Sequence, residues 1–161
     1  MSSILKLPVR TLASRISQGV LTAEAVTLAY IEQIESCEPS FKAWQFFDAD
    51  LALQSARAMD RHSHSSNTLL RGIPVGVKDL MDTADMPTAY GSPIYAGHRP
   101  KFDAACVAAC RDTGMVLLGK TVTTEFATFQ PGVTCNPRAP ANAPRKKRGE
   151  ARGSAAAVAA N

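Results

Sequence analysis

Cysteine is sparse and unpatterned: Cys37, Cys106, Cys110 and Cys135 show no spacing that reads as a disulfide framework or a zinc site. There is no charged-then-apolar leader and no long apolar run, so no membrane span is expected and a reducing, cytoplasmic setting is. Of the histidines, His98 stands alone. His62 and His64 sit in the polar stretch 61–67 with no cysteine or carboxylate spacing to complete a site, so no metal is expected. Aromatic residues are absent from the basic run Arg145 to Arg148 and Arg152, where much of the net charge of +4 is concentrated. Basic residues without stacking partners, outside any nucleic-acid module, are expected to form a solvated loop rather than a nucleic-acid site.

What is present suits a globular fold, with 161 residues and 45% hydrophobic content. A helix is expected near Val9–Gln18 and, after Gly19, a second one capped by Thr22 and running to about Cys37. Glu24 lies in its first turn, and Val26, Tyr30 and Ile34 share one stripe. Pro39 just beyond reads as its stop. Phe41–Phe47 reads as an aromatic-rich strand, and Asp48 opens a helix to about Met59.

The chemically suggestive stretch follows. Ile73, Val75 and Val77 alternate with Pro74, Gly76 and Lys78, the period of a short strand, and Lys78 stands at its end, followed by Asp79. Gly72 and Gly76 would let another backbone or a ligand approach closely. Two readings of Lys78 compete. Desolvated at a strand end, a lysine loses its proton readily and serves as a base. Facing solvent, it would simply pair with Asp79. Beyond a loop of turn formers, Asp103 is expected to open an alanine-rich helix to about Arg111, with Cys106 and Cys110 as small buried thiols one turn apart. Gly114 would stop it, Met115–Thr121 would be a strand, Thr124–Ala127 a short helical stretch, Asn136-Pro137 a turn, and Gly153–Ala160 a small-residue helix with Ser154 as N-cap.

Taken in order, "GIPVGVKDLMDTADMPTAYGS", "DAACVAACRDTGMVLLGKTVTTEFA", "NP" and "GSAAAVAA" resemble the N-terminal part of the amidase signature family. The resemblance covers about residues 5–137 and 153–160 and is strongest between Leu70 and Ala127. It implies an α/β fold with a mixed, mainly parallel sheet flanked by helices, present incompletely. The corresponding division is a partial amidase domain over 1–161, with an N-terminal helical region at 1–60, a polar loop at 61–68 and an α/β core segment at 69–137. A divergent basic segment at 138–152 and the start of an alanine-rich helix at 153–161 complete it. The resemblance also implies hydrolysis of carboxylic amides by a Ser-cisSer-Lys relay, with a small-molecule amide as substrate, no cofactor, and Lys78 in the place of the family lysine. In that relay a neutral lysine takes a proton through a middle serine from a nucleophilic serine.

The sequence departs from the family pattern at Pro144–Arg152. Glu150 falls where the cis serine is expected and Arg148 where a glycine is expected. A stretch read one nucleotide out of frame would account for this segment. The family's nucleophilic serine lies downstream of the position matching Asn161, so no serine here takes that role, and a truncated chain, inactive alone, is expected. One alternative is a non-catalytic pseudoenzyme or gene remnant serving at most as an interaction module. A second is the amidase subunit of a glutamyl/aspartyl-tRNA amidotransferase. Gly119-Lys120-Thr121-Val122-Thr123-Thr124-Glu125-Phe126 lacks the Asn-Met-Asp of that subfamily and favours a general amidase.

Overall fold

The computed structural model describes residues 3–61, 68–128, 133–137 and 152–160. Helix α1 (Val9–Ser17) buries Leu12, Ala13 and Ile16. Helix α2 (Ala23–Phe41) starts as the sequence predicts, with the Thr22 hydroxyl accepting the Ala25 N–H at 3.0 Å. Two further N–H groups of its first turn, those of Ala23 and Glu24, donate to the Asp60 carboxylate at 2.8 and 2.9 Å. Asp60 lies near the end of α3 (Ala49–Arg61), so the two helices are joined where one begins and the other ends.

Pro39 does not stop α2, which runs through it to Phe41. A proline forfeits one backbone bond, but the chain just beyond is tied back. The Lys42 N–H donates to the Glu38 carbonyl at 2.9 Å, and the Glu38 carboxylate accepts the N–H groups of Ala43 and Trp44. Glu38 thereby holds the last turn and aims the chain into strand β1 (Trp44–Phe47).

Strands β2 (Pro74–Lys78) and β3 (Val116–Thr121) pair in parallel, and β1 pairs antiparallel with β3, giving the order β1-β3-β2. This is the mixed α/β arrangement, a small sheet flanked by helices, with one parallel and one antiparallel pair among the described residues. Every residue of the central β3 is buried. On one face Leu118 packs with Ile31 and Ile34 of α2 and Ala52 of α3. On the other, Leu117 and Val77 pack with Met86 and with Val107 of α4 (Ala105–Asp112).

Two glycines decide how tightly the sheet packs. A Cβ on Gly76 would stand 2.9 Å from the Trp44 ring, and one on Gly119 would stand 2.4 Å from the Phe46 carbonyl oxygen. The indole of Trp44 therefore fills the space beside Gly76 that the sequence left open to a ligand. The pairing also slips by one residue: Val75 faces Leu117, but Gly76 faces Gly119. The extra residue in β3 sends Lys120 to the side of the sheet occupied by Leu117.

Asp103 does not cap α4, whose N-cap is Ala104. Its carboxylate accepts the Ala84 N–H at 2.8 Å and pairs with Arg111 at 2.8 Å, and Arg111 also reaches Asp85 at 2.6 Å. An Arg on the helix's last turns outcompetes the helix N-terminus for the acid and ties the loop to α4. Gly114, at φ +78°, ends the helical turn as expected.

Candidate active site

Lys78 is the last residue of β2, and its register partner Thr121 is the last of β3, so both stand at the same end of the parallel pair. Helix α5 (Arg152–Ala159) begins there. The Gly153 N–H donates to the Val122 carbonyl at 3.0 Å, and a Cβ on Gly153 would sit 2.3 Å from the Val122 nitrogen and 2.5 Å from the Ala43 carbonyl oxygen. Only glycine lets the helix come so close. The next residue, Ser154, shares a 2.7 Å hydrogen bond with the Thr121 hydroxyl. Ser154 is thus an interior residue of the helix joined to the sheet, not the N-cap expected from the sequence, because α5 starts two residues earlier, at Arg152.

The half-buried Lys78 side chain has no hydrogen-bond or ion-pair partner among the described residues. In particular it is not paired with Asp79. That carboxylate is buried and lies 3.4 Å from the Nζ of Lys120, itself wholly shut off from solvent. Lys120 donates further to the Thr88 hydroxyl and, at 3.4 Å, to the Pro87 carbonyl. Asp79 accepts the N–H groups of Ala89 at 3.2 Å and Gly91 at 3.3 Å. Burial pushes the Asp79 carboxyl above its ordinary range, against the pull of the Lys120 charge and the two N–H groups. Burial likewise pushes the Lys120 ammonium down, against the attraction of Asp79. The ammonium's three donors meet three acceptors, a closed set that leaves Lys120 nothing to offer a substrate.

The sequence reading missed Lys120 as a site element. The available signal was a lysine inside the apolar run Met115–Val122, a placement that demands a buried counter-charge. The acid at Asp79 was visible, but its partner was not.

An open cleft of about 430 Å³ lies on the Asp79 side, lined by Gln45, Phe46, Asp79, Ala89, Gly91 and Ser92 among others. Lys78 is not among its lining residues. Ser92 donates to Glu125 at 2.7 Å, which joins the cleft wall to the 3₁₀ turn Glu125–Ala127. His98 packs against the rings of Tyr90 and Tyr95. Cys106 is exposed and Cys110 half-buried, so the pair are not the buried thiols expected: the α4 face toward the sheet is supplied by Val107. His62, His64, Arg148, Glu150 and the run Arg145 to Arg148 lie outside the described residues. Among the described residues, no helix is long and apolar enough to cross a membrane.

A lysine at the end of a parallel strand, a hydroxyl pair beside it and a close-packed small-residue helix suit proton-transfer chemistry on an α/β scaffold. The chain matches the Amidase family over residues 25–161, and it belongs to that family. It is 38% identical to a glutamyl-tRNA(Gln) amidotransferase subunit of Acidothermus cellulolyticus over 165 aligned residues, covering 99% of this chain and 33% of that relative. Among solved structures it resembles the native peptide amidase from Stenotrophomonas maltophilia, with 31% identity, a TM-score of 0.77, and coverage of 94% of this chain and 34% of that one. An amidase family protein from Bacillus anthracis superposes with a TM-score of 0.84 at 27% identity, covering 94% and 33%. The chain thus spans about a third of the length of the curated relatives and structures it matches.

Proposed function

We propose that this chain supplies the lysine-bearing part of a carboxylic amide hydrolase, with Lys78 as the base of a Ser-cisSer-Lys relay. The observation that carries the reading is Lys78 itself. It is half-buried at the end of a parallel strand, without an acidic partner among the described residues, in a chain matching the Amidase family across that position. A lysine so placed accepts a proton from a hydroxyl, which then attacks the amide carbonyl. The lysine passes that proton to the departing amine, and water then releases the acyl group as the carboxylic acid. The reading assigns the lysine to this chain and assigns neither serine; the cis serine is expected at the position of Glu150. A non-catalytic role for this chain is the alternative outcome.

The test is complementation. The chain, with Glu150→Ser restoring the expected middle serine, is co-expressed with the part of the Stenotrophomonas peptide amidase that it does not match, and ammonia release from a panel of carboxamides is followed. Hydrolysis that Lys78→Ala abolishes, while the two polypeptides still copurify, is the expected result. Hydrolysis unaffected by Lys78→Ala would overturn the assignment.

A second reading, that the chain is of the amidotransferase type, is favoured by the 38% identity to the Acidothermus protein. Glutamine would then be the preferred amide in the same assay, with further subunits required for transfer of its ammonia. The Val122-Thr123-Thr124 departure argues for the general amidase.

A further inference from the structure

Lysine and aspartate are adjacent in sequence at the end of β2, yet the structure keeps their charges apart. Lys78 is the register partner of Thr121, and Val77 is the register partner of Lys120. Successive residues along a strand point to opposite faces, so Lys78 and Lys120 lie on opposite sides of the sheet end. The Asp79 N–H is fixed by the Thr121 carbonyl at 2.9 Å, and its carboxylate turns to the Lys120 side. There it meets Lys120 and the Ala89 and Gly91 N–H groups. All three acceptors of Lys120 belong to the segment from Asp79 to Thr88.

We propose that Lys120 is a positioning residue for Lys78: by holding the Asp79 carboxylate on one side of the sheet, it keeps the neighbouring Lys78 amine from becoming that carboxylate's counter-ion. The inference rests on reading Lys78 as the base, because a lysine engaged by a carboxylate is held in the protonated form that accepts nothing. A buried carboxylate deprived of its cation must find another or be expelled. The preceding residue along the chain is a lysine with no partner among the described residues. The sheet slip that turns Lys120 toward the Leu117 side is therefore what separates the two lysines' tasks.

The test reads Lys78 directly and needs no enzymatic activity. The chain is treated at fixed pH with an amine-acetylating ester, and acetylation of Lys78 is followed by peptide mass spectrometry against exposed Lys42 and Lys101 as internal references. Lys120→Met should slow Lys78 acetylation about tenfold relative to those references, the effect of a carboxylate newly paired with the amine. Asp79→Asn alone, and Asp79→Asn with Lys120→Met, should leave the Lys78 rate close to that of the unaltered chain. A purely structural role predicts instead that all three variants disturb Lys78 alike, and that result overturns the proposal. So does a Lys120→Met chain that folds and labels normally. If Lys120→Met fails to fold, a folded double variant with a normal Lys78 rate supports the proposal, and one with an altered rate or no fold overturns it. Failure of the hydrolase reading would appear separately, as carboxamide hydrolysis indifferent to Lys78→Ala.

Discussion

The Nζ of Lys120 lies 3.4 Å from Oδ1 of Asp79, with the two side chains 0% and 1% exposed, so a full ion pair is enclosed between the sheet and the loop after β2. Such a pair contributes little when intact, because desolvation offsets attraction, yet breaking it strands a charge. Replacing Lys120 by Met should cost about 3–5 kcal/mol. Urea unfolding followed by circular dichroism should show the loss, and Asp79→Asn in the same chain should recover most of it. A single variant as stable as the parent would contradict the enclosed pair.

Gly153 sits where any side chain collides with backbone, at the Val122 nitrogen and the Ala43 carbonyl. Gly153→Ala should lift α5 from the sheet at a cost of about 1–3 kcal/mol. Amide hydrogen exchange would report it as lost protection from Ser154 to Ala160, with α1 and α3 unchanged.

Tyr90 donates to Asp82 at 2.6 Å, and this bond, more than burial, raises its phenol from 10.0 to about 12. Because the folded-state value lies above the ordinary one, the bond's contribution to stability is present below pH 10 and fades as pH climbs through 10 towards 12. Ultraviolet titration should find one tyrosine ionising late, and Asp82→Asn should bring it back toward the ordinary range. A late tyrosine that persists in Asp82→Asn would remove this cause.

The Thr121–Ser154 bond joins α5 to the candidate site. Thr121→Val leaves the Ser154 hydroxyl without that partner and should cost about 1 kcal/mol. Adding Ser154→Ala should return part of that loss, since the orphaned group is removed. Thermal unfolding of the three variants measures it, and strictly additive effects would show that the two hydroxyls do not interact.

Much of the local structure was legible in the sequence. Thr22 capped its helix, Gly114 closed another, and the alternation from Ile73 to Lys78 marked a strand, because these signals act within one turn or one pleat. Three local readings failed where other contacts took precedence. Asp103 gave its carboxylate to Arg111 and Ala84 instead of the α4 N-terminus. Pro39 was carried inside α2 because Glu38 secured the turn beyond it. Ser154 became a sheet contact because Arg152 and Gly153 were already helical.

By itself the sequence determined the order of helices and strands, the family, and the placement of a lysine at a strand end, since each depends on residue types at short, fixed spacings. Tertiary structure alone decided which of two lysines Asp79 would hold. That choice turns on a one-residue slip between β2 and β3 and on the loop folding back over Lys120, and neither is a property of any short stretch of chain. Lys78 is left without an acidic partner among the described residues, while Asp79 lies against Lys120.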